Sequence, residues 1–196
     1  MEYFNEYKNA KICLYMMIGQ FLNVNLPSSE AGKYGVSYMY GEKVLDTIDV
    51  CYHDFKSEGL LAWDYLGIDE PFIRLNEIWE RRRKIKDEVI DENIDYYQMY
   101  LKMSILLIDM VIKYYKFSIS LEEAKFNNVE CDLDVDEISN EVDVCHHYYE
   151  SAGENVWNFF NIESPIVGQS VFLNKRNELC DELLKLKQED VKKLVK

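Results

Sequence analysis

Apolar side chains crowd two stretches of this chain, residues 2–22 and 95–116, so densely that they would cover most of a helix circumference. The first holds Ile12, Leu14, Met16, Met17 and Ile18, and the second Ile105, Leu106, Leu107, Ile108, Met110, Val111 and Ile112. Helices apolar on nearly every side sit centrally in a domain. A narrower stripe follows each of them. Ile48, Cys51, Phe55, Gly59, Ala62 and Leu66 recur as Val142, Cys145, Tyr149, Gly153, Val156 and Phe160, a spacing that predicts helices over about 44–66 and 136–160 with both glycines on the packing face. Gly67 and Asn161 come next as residues that tolerate the left-handed backbone ending a helix. Pro71 and Pro165 then open a third helix, with Ser164 suited to cap the second copy. Between the first and second helices the two stretches differ. Val129 to Asp136 alternates apolar and acidic residues like a short strand, and Ser120-Leu121-Glu122-Glu123 has the spacing of a capping box.

These parallels come from an internal repeat. Asp49-Val50-Cys51-Tyr52-His53 and Asp143-Val144-Cys145-His146-His147 share one register at a spacing of 94, and the match extends through Trp63 and Trp157, Ile68 and Ile162, and Pro71 and Pro165. Residues 49–73 and 143–167 align without gaps at nine identities in 25 positions, far more than shared composition produces. Tyr3-Phe4-Asn5-Glu6-Tyr7 lies over Tyr96-Tyr97-Gln98-Met99-Tyr100 one residue out of step. A tandem duplication follows, 1–93 and 94–196. The expected fold is all-α, or mainly α with a small β element: an internally duplicated helical bundle of two three-helix units about a pseudo-two-fold axis, packed as one body. A period of 94 is too long for a solenoid repeat.

Charge narrows the partner. The 196 residues carry 22 Lys and Arg against 36 Asp and Glu, a net charge of −14 and a pI near 4.7. Most of such a surface repels nucleic acid and anionic membranes and favours a basic partner. Residues 122–143 concentrate the charge, with Glu122, Glu123, Glu130, Asp132, Asp134, Asp136, Glu137, Glu141 and Asp143 against one base, Lys125. The one basic run, Arg81-Arg82-Arg83-Lys84, is spaced for i,i+4 pairs with Glu77, Glu80, Asp87 and Glu88, which makes it a salt-bridged helix face. Five cysteines without a Cys-x-x-Cys pair point to reduced thiols and a cytoplasmic location. No signal peptide or membrane span is expected, because the most apolar stretch, Met103 to Ile112, is interrupted by Asp109.

Several residue sets could carry chemistry. Asp49, His53 and Ser57, and again Asp143, His147 and Ser151, fall four apart, in a row along one face of the second helix. A single row cannot aim a hydroxyl and an imidazole at one carbonyl, and no Gly-x-Ser-x-Gly loop supplies an oxyanion hole, so a nucleophilic triad is disfavoured. If the two copies face each other, Asp49, His53, Asp143 and His147 form a ligand set for Zn, Fe or Mn; the structural reading of the same residues is a hydrogen-bond ladder between halves. Cys51 and Cys145 belong to the apolar stripe and read as small core residues, and Trp63 and Trp157 likewise as core. Asp109 stands where the first copy has Met16 and needs a buried Tyr or Lys partner, or else marks a polar pocket. Asp132-x-Asp134-x-Asp136 with Asp143 twelfth is spaced like a Ca²⁺ loop, with Glu137 where that loop requires Gly. Glu77-x-x-Glu80 followed by Glu92-x-x-Asp95 resembles the carboxylate pattern of the all-α nucleotide pyrophosphohydrolases of the MazG type, which implies Mg²⁺ and nucleotide hydrolysis; the second copy has Val171 and Asn174 in place of the first two carboxylates.

No phosphate-binding loop, dinucleotide Gly pattern or His-Glu-x-x-His is present. The leading expectation is therefore an acidic protein-binding protein without a cofactor. It would inhibit or antagonise a basic nucleic-acid-handling protein, a nuclease or toxin, in the manner of immunity proteins or phage anti-defence proteins. Glu130, Asp132, Asp134, Asp136 and Glu137 would be its contact residues. The alternative is a metal-dependent enzyme or sensor with its site at the pseudo-two-fold axis.

Overall fold

Where a helical stripe and a two-residue alternation compete, the alternation wins. In the computed structural model, which describes residues 3–21, 23–27, 47–52, 59–69, 72–114, 116–126, 141–146, 154–163 and 166–194, Thr47–Tyr52 and Glu141–His146 are strands. This corrects the helices expected over 44–66 and 136–160. Ile48 and Val50, and Val142 and Val144, are β-branched and alternate with acidic or small residues, a pattern that suits a pleated strand better than a helix. Within those ranges helix is described over Gly59–Leu66 and Glu154–Phe160. Gly59 is the first described residue of the former, and Gly153 falls outside the described residues.

The described elements run α1 (Phe4–Phe21), β1 (Asn23–Pro27), β2 (Thr47–Tyr52), α2 (Gly59–Leu66), β3 (Phe72–Arg74), α3 (Leu75–Lys84) with a 3-10 turn (Ile85–Asp87), then α4 (Tyr96–Tyr114), β4 (Lys116–Ser120), α5 (Leu121–Phe126), β5 (Glu141–His146), α6 (Glu154–Phe160), β6 (Ile166–Gly168) and α7 (Gln169–Leu194). Helices hold most of the described residues, so the chain is mainly α. Its strands form two three-stranded antiparallel sheets, β1-β2-β3 and β4-β5-β6. In the first, Asn25 pairs with Asp49 and Cys51 with both Asn23 and Ile73. In the second, Ser118 pairs with Asp143 and Cys145 with both Lys116 and Val167. The paired positions correspond at offsets of 93 between β1 and β4, and of 94 between the other strands.

Two compact units divide the chain, one of residues 11–91 and the other of residues 1–10 with 92–196. The division falls inside α1. Among the described residues the largest fully buried side chains of the unit of 11–91 are Leu14, Met17, Ile18, Trp63, Ile78 and Ile85; in the other they include Leu101, Met103, Leu107, Ile108, Trp157 and Phe172.

Helix α2 ends as its sequence requires. Gly67 takes φ +60°, its N–H donates to the Asp64 carbonyl at 3.2 Å, and the Ile68 N–H donates to Trp63 at 2.9 Å, which satisfies two terminal carbonyls in a Schellman arrangement. Asn161 repeats it at φ 61°, with donors Asn161 to Asn158 at 3.1 Å and Ile162 to Trp157 at 2.9 Å.

Within the unit of 1–10 and 92–196, four aromatic contacts join the start of α1 to the start of α4. Tyr3 meets Tyr97 at 4.3 Å and Tyr100 at 5.9 Å between ring centroids, and Tyr96 meets Phe4 at 4.9 Å and Tyr7 at 5.3 Å. Tyr96, Tyr97 and Tyr100 each stand 93 positions after Tyr3, Phe4 and Tyr7. Exchanging each residue for its counterpart therefore turns the first pair of contacts into the second. Asp95 caps α4, its carboxylate accepting the Gln98 N–H at 3.0 Å. Helices α4 and α7 then run antiparallel, joined by Tyr97–Glu182 at 2.7 Å near one end and Asp109–Arg176 nearer the other.

In the unit of 11–91 the indole of Trp79 lies over Gly19. A Cβ added there would stand 2.7 Å from the ring, whose neighbour on the helix, the Arg82 guanidinium, sits 5.2 Å from a Trp79 ring centroid. At the corresponding positions the second repeat has Ile112 and Leu173, the larger residue now on the first helix and the smaller on the last. Gly19→Ala should displace the indole and destabilise the protein by about 1–2 kcal/mol, the overpacking outweighing the helix propensity that Ala adds. Urea melts followed by far-UV circular dichroism check this, and a red shift in tryptophan emission should accompany the loss.

Candidate functional site

The row of Asp49, His53 and Ser57 needs a helix, and the backbone through Asp49 is a strand. His53 and Ser57 lie outside the described residues. The same holds for the row of Asp143, His147 and Ser151. Of the metal set Asp49, His53, Asp143 and His147, Asp49 lies on β2 and Asp143 on β5, and His53 and His147 lie outside the described residues. Among the described residues no three His, Cys, Asp or Glu side chains group closely enough to hold a metal ion. Glu130, Asp132, Asp134, Asp136 and Glu137 also lie outside the described residues.

Two of the four carboxylates of the nucleotide-hydrolase resemblance, Glu77 and Asp95, have partners within the fold. Glu77 accepts from Arg81 Nε at 3.1 Å and from its terminal nitrogen at 2.8 Å, while Asp95 caps α4. An open groove of about 540 Å³ runs along α3, lined by Arg74, Asn76, Glu77, Glu80, Arg81 and Lys84. All six side chains come from the eleven consecutive residues 74–84, three cations and two carboxylates of one short segment.

The basic run Arg81–Lys84 is at the C-terminal end of α3, where the helix dipole favours it. Of its four anticipated i,i+4 pairs, Glu77–Arg81 forms among the described residues. Arg81 also donates to the Gly67 carbonyl at 3.1 Å, tying α3 to the end of α2, and Arg82 is turned onto Trp79. Glu88 reaches away from Lys84 to Lys11 on α1, at 2.5 Å. Between these pairs lies Tyr15, buried, with its hydroxyl 3.4 Å from the Leu66 carbonyl. Burial raises its pKa, and the nearby Lys11 and Arg81 pull it back.

Asp109 has an arginine partner, not the tyrosine or lysine expected. Arg176 on α7 donates to both carboxylate oxygens, at 2.5 and 3.3 Å, and the hydrogen bond holds the guanidinium charged. Arg176 corresponds to Arg82, so the same arginine faces an indole in one repeat and a carboxylate in the other. The pair is about one-third exposed, which screens it. Asp109→Asn should cost about 1 kcal/mol at 0.05 M salt and less at 0.5 M, by thermal melting.

Two features escaped sequence reasoning. The Lys11–Glu88 bridge joins residues 77 apart, and the segment after it presents Val89 and Ile90 to solvent. The only available signal for the second was an apolar pair between acids with no helical or strand period to bury it. No described helix is long and apolar enough to cross a membrane. No family model, curated protein or solved structure matches the chain.

Proposed function

We propose that this chain is a duplicated acidic protein that acts by binding a basic protein, as an inhibitor or antagonist of one that handles nucleic acid. The observation that carries the reading is how the cations are used. Lys11, Arg81 and Arg176 are held by Glu88, Glu77 and Asp109, and Arg82 is laid on Trp79, in a chain with a net charge of −14. Paired cations leave the acidic excess to dominate the field at a distance, which steers a basic partner in and turns nucleic acid away. An acidic face of this kind competes for a phosphate channel. The duplication is supported by the common order of strands and helices, by pairings at matched offsets, and by the exchange of aromatic contacts around Tyr3 and Tyr96. That exchange is what a pseudo-two-fold axis between α1 and α4 produces.

The test uses the full chain as bait in cells of the organism that encodes it, followed by association kinetics with the captured partner. The partner should carry excess Lys and Arg, and its association rate should fall at least tenfold between 0.01 and 0.15 M salt, as the Debye length shrinks from about 30 to about 8 Å. Asp132→Lys with Asp134→Lys should slow association at low salt, and His53→Ala with His147→Ala should leave it unchanged. A rate indifferent to salt and to the lysine substitutions overturns the reading.

A further inference from the structure

Helix α7 outruns both its counterpart and its neighbour. In the first repeat α3 ends at Lys84, which corresponds to Glu178, whereas α7 continues from there to Leu194. Helix α4 begins at Tyr96 and meets Glu182 through Tyr97, so the rest of α7 runs about 18 Å past that contact. Two stripes run along α7. Phe172 and Leu179 are buried and Arg176 and Glu182 bond to α4, which makes this the inner side. Leu173, Asn177, Cys180 and Leu184 follow at i, i+4, i+7 and i+11 on a second line, roughly 110° round the helix from the first. Leu173 is 43% exposed and Leu184 54%, with Cys180 half-buried between them. Lys187 and Val191 continue the spacing in sequence. Alternating steps of four and three, apolar except for an isolated polar residue, are the seam pattern of a two-helix pair.

We propose that this second stripe docks on a second copy of the chain, with the two α7 helices antiparallel about a two-fold axis near residue 182. The charge pattern selects both the occupant and its direction. Glu178, Asp181 and Lys185 are exposed on the flank beside the stripe, acids first and base last. A two-fold axis sets the same flank of each copy together in reverse order. Lys185 of one copy then comes level with the gap between Glu178 and Asp181 of the other, and the two acids meet a base in both copies. The Glu178–Lys175 pair within the helix is exposed and 3.9 Å long, so it holds Glu178 weakly. A parallel arrangement would instead oppose acid to acid and base to base. A basic partner would meet Lys185 and an acidic one Glu178 and Asp181, whereas the reversed copy answers all three. The same axis sets Cys180 level with Leu184, Asn177 with Lys187 and Leu173 with Val191, so that small and apolar positions meet each other and polar ones likewise. Helix α7 holds six bases and five acids, and the copies therefore approach along a surface without the acidic excess of the whole chain. This inference is independent of which partner the chain binds.

Sedimentation equilibrium of the full chain, reduced and in 0.15 M salt, tests this. The mass should double reversibly from the 23.3 kDa of one chain, with half-conversion at about 10–100 μM, as suits a seam of few residues. Leu173→Glu with Leu184→Glu should weaken the dimer at least tenfold and leave the far-UV circular dichroism of the monomer unchanged, because both side chains are exposed. Lys185→Glu alone should also weaken it. Glu178→Lys and Asp181→Lys combined with Lys185→Glu reverse every charge on the flank and should restore it, which a merely damaged helix would not do. Direction is read by oxidation. The Leu184→Cys chain should form an intermolecular disulfide from position 184 to Cys180 of the second copy, identified by peptide mass spectrometry and lost when Cys180→Ser is added. A wild-type chain that stays monomeric at about 500 μM, wild-type dimerisation in the Leu173→Glu, Leu184→Glu variant, or a disulfide that joins position 184 to position 184 overturns the inference.

Discussion

Trp63→Ala and Trp157→Ala should each remove about 3–5 kcal/mol of stability, with Trp157→Ala the costlier by about 1 kcal/mol. Both indoles are essentially inaccessible, at 1% and 0% exposure, and each precedes the left-handed residue that ends its helix by four positions. Their neighbourhoods differ in kind. Trp157 meets Phe172 edge-on at 5.4 Å, and Phe172 meets Phe160 at 6.1 Å with the rings perpendicular. The corresponding positions in the first repeat are Ile78 and Leu66, both buried and aliphatic. Removing Trp157 therefore forfeits directed ring contacts as well as area, and leaves a cavity whose rigid aromatic walls relax little. Urea titration followed by far-UV circular dichroism measures both losses without relying on the deleted fluorophore. Trp157→Phe should recover more than half of the loss by keeping a ring against Phe172. A cost below about 1 kcal/mol at either position would mean that the indole is not a core residue.

What was legible in the sequence was whatever local chemistry or repetition decides. Gly67 and Asn161 stood out because few residues accept positive φ, and both adopt it. The central helices were legible because few polar positions interrupt them, and Trp63 and Trp157 read correctly as core. The strands at 47–52 and 141–146 were missed because six residues can satisfy a period of 2 and sample a period of 3.6 at once. The stripe was extended across them from the true helices that follow. That one misassignment also produced the Asp–His row, since residues four apart are neighbours only on a helix. Long-range pairings leave no local trace: Asp109 signals an unmet charge, but its partner, Arg176, lies 67 residues on. The i,i+4 rule placed Glu77 with Arg81 correctly and Glu88 with Lys84 wrongly, because Lys11 competes for Glu88 only once α1 is in place.

Stability should fall steeply above pH 9, and Cys13 should account for the onset. The thiol is buried in α1 and is not disulfide-bonded; burial pushes its pKa from 9.0 up to about 12, against an opposing pull from Arg82. In the unfolded chain the thiol ionises near 9. Between the two values the unfolded state has lost a proton that the folded state retains, so the contribution is fully present below pH 9 and is lost as pH rises toward 12. Three units correspond to about 4 kcal/mol, a large share of the stability of a typical domain. Tyr15, Tyr65 and Tyr100 are raised from 10.0 chiefly by burial and act in the same direction, starting about a unit later. Between pH 9 and 10 the tyrosines also begin to contribute, so the thiol is read from the difference between the wild type and Cys13→Ala. Urea midpoints measured across this range should drop more steeply for the wild type than for Cys13→Ala, whose small cavity lowers stability at every pH while the tyrosines keep their own part of the slope. Iodoacetamide at pH 8 should modify the partly exposed Cys180 well before Cys13, for the same reason: a thiol that stays protonated is a poor nucleophile. Equal slopes for the two proteins between pH 9 and 10 would show that the Cys13 thiol ionises as readily folded as unfolded, and would place the alkaline loss on the tyrosines.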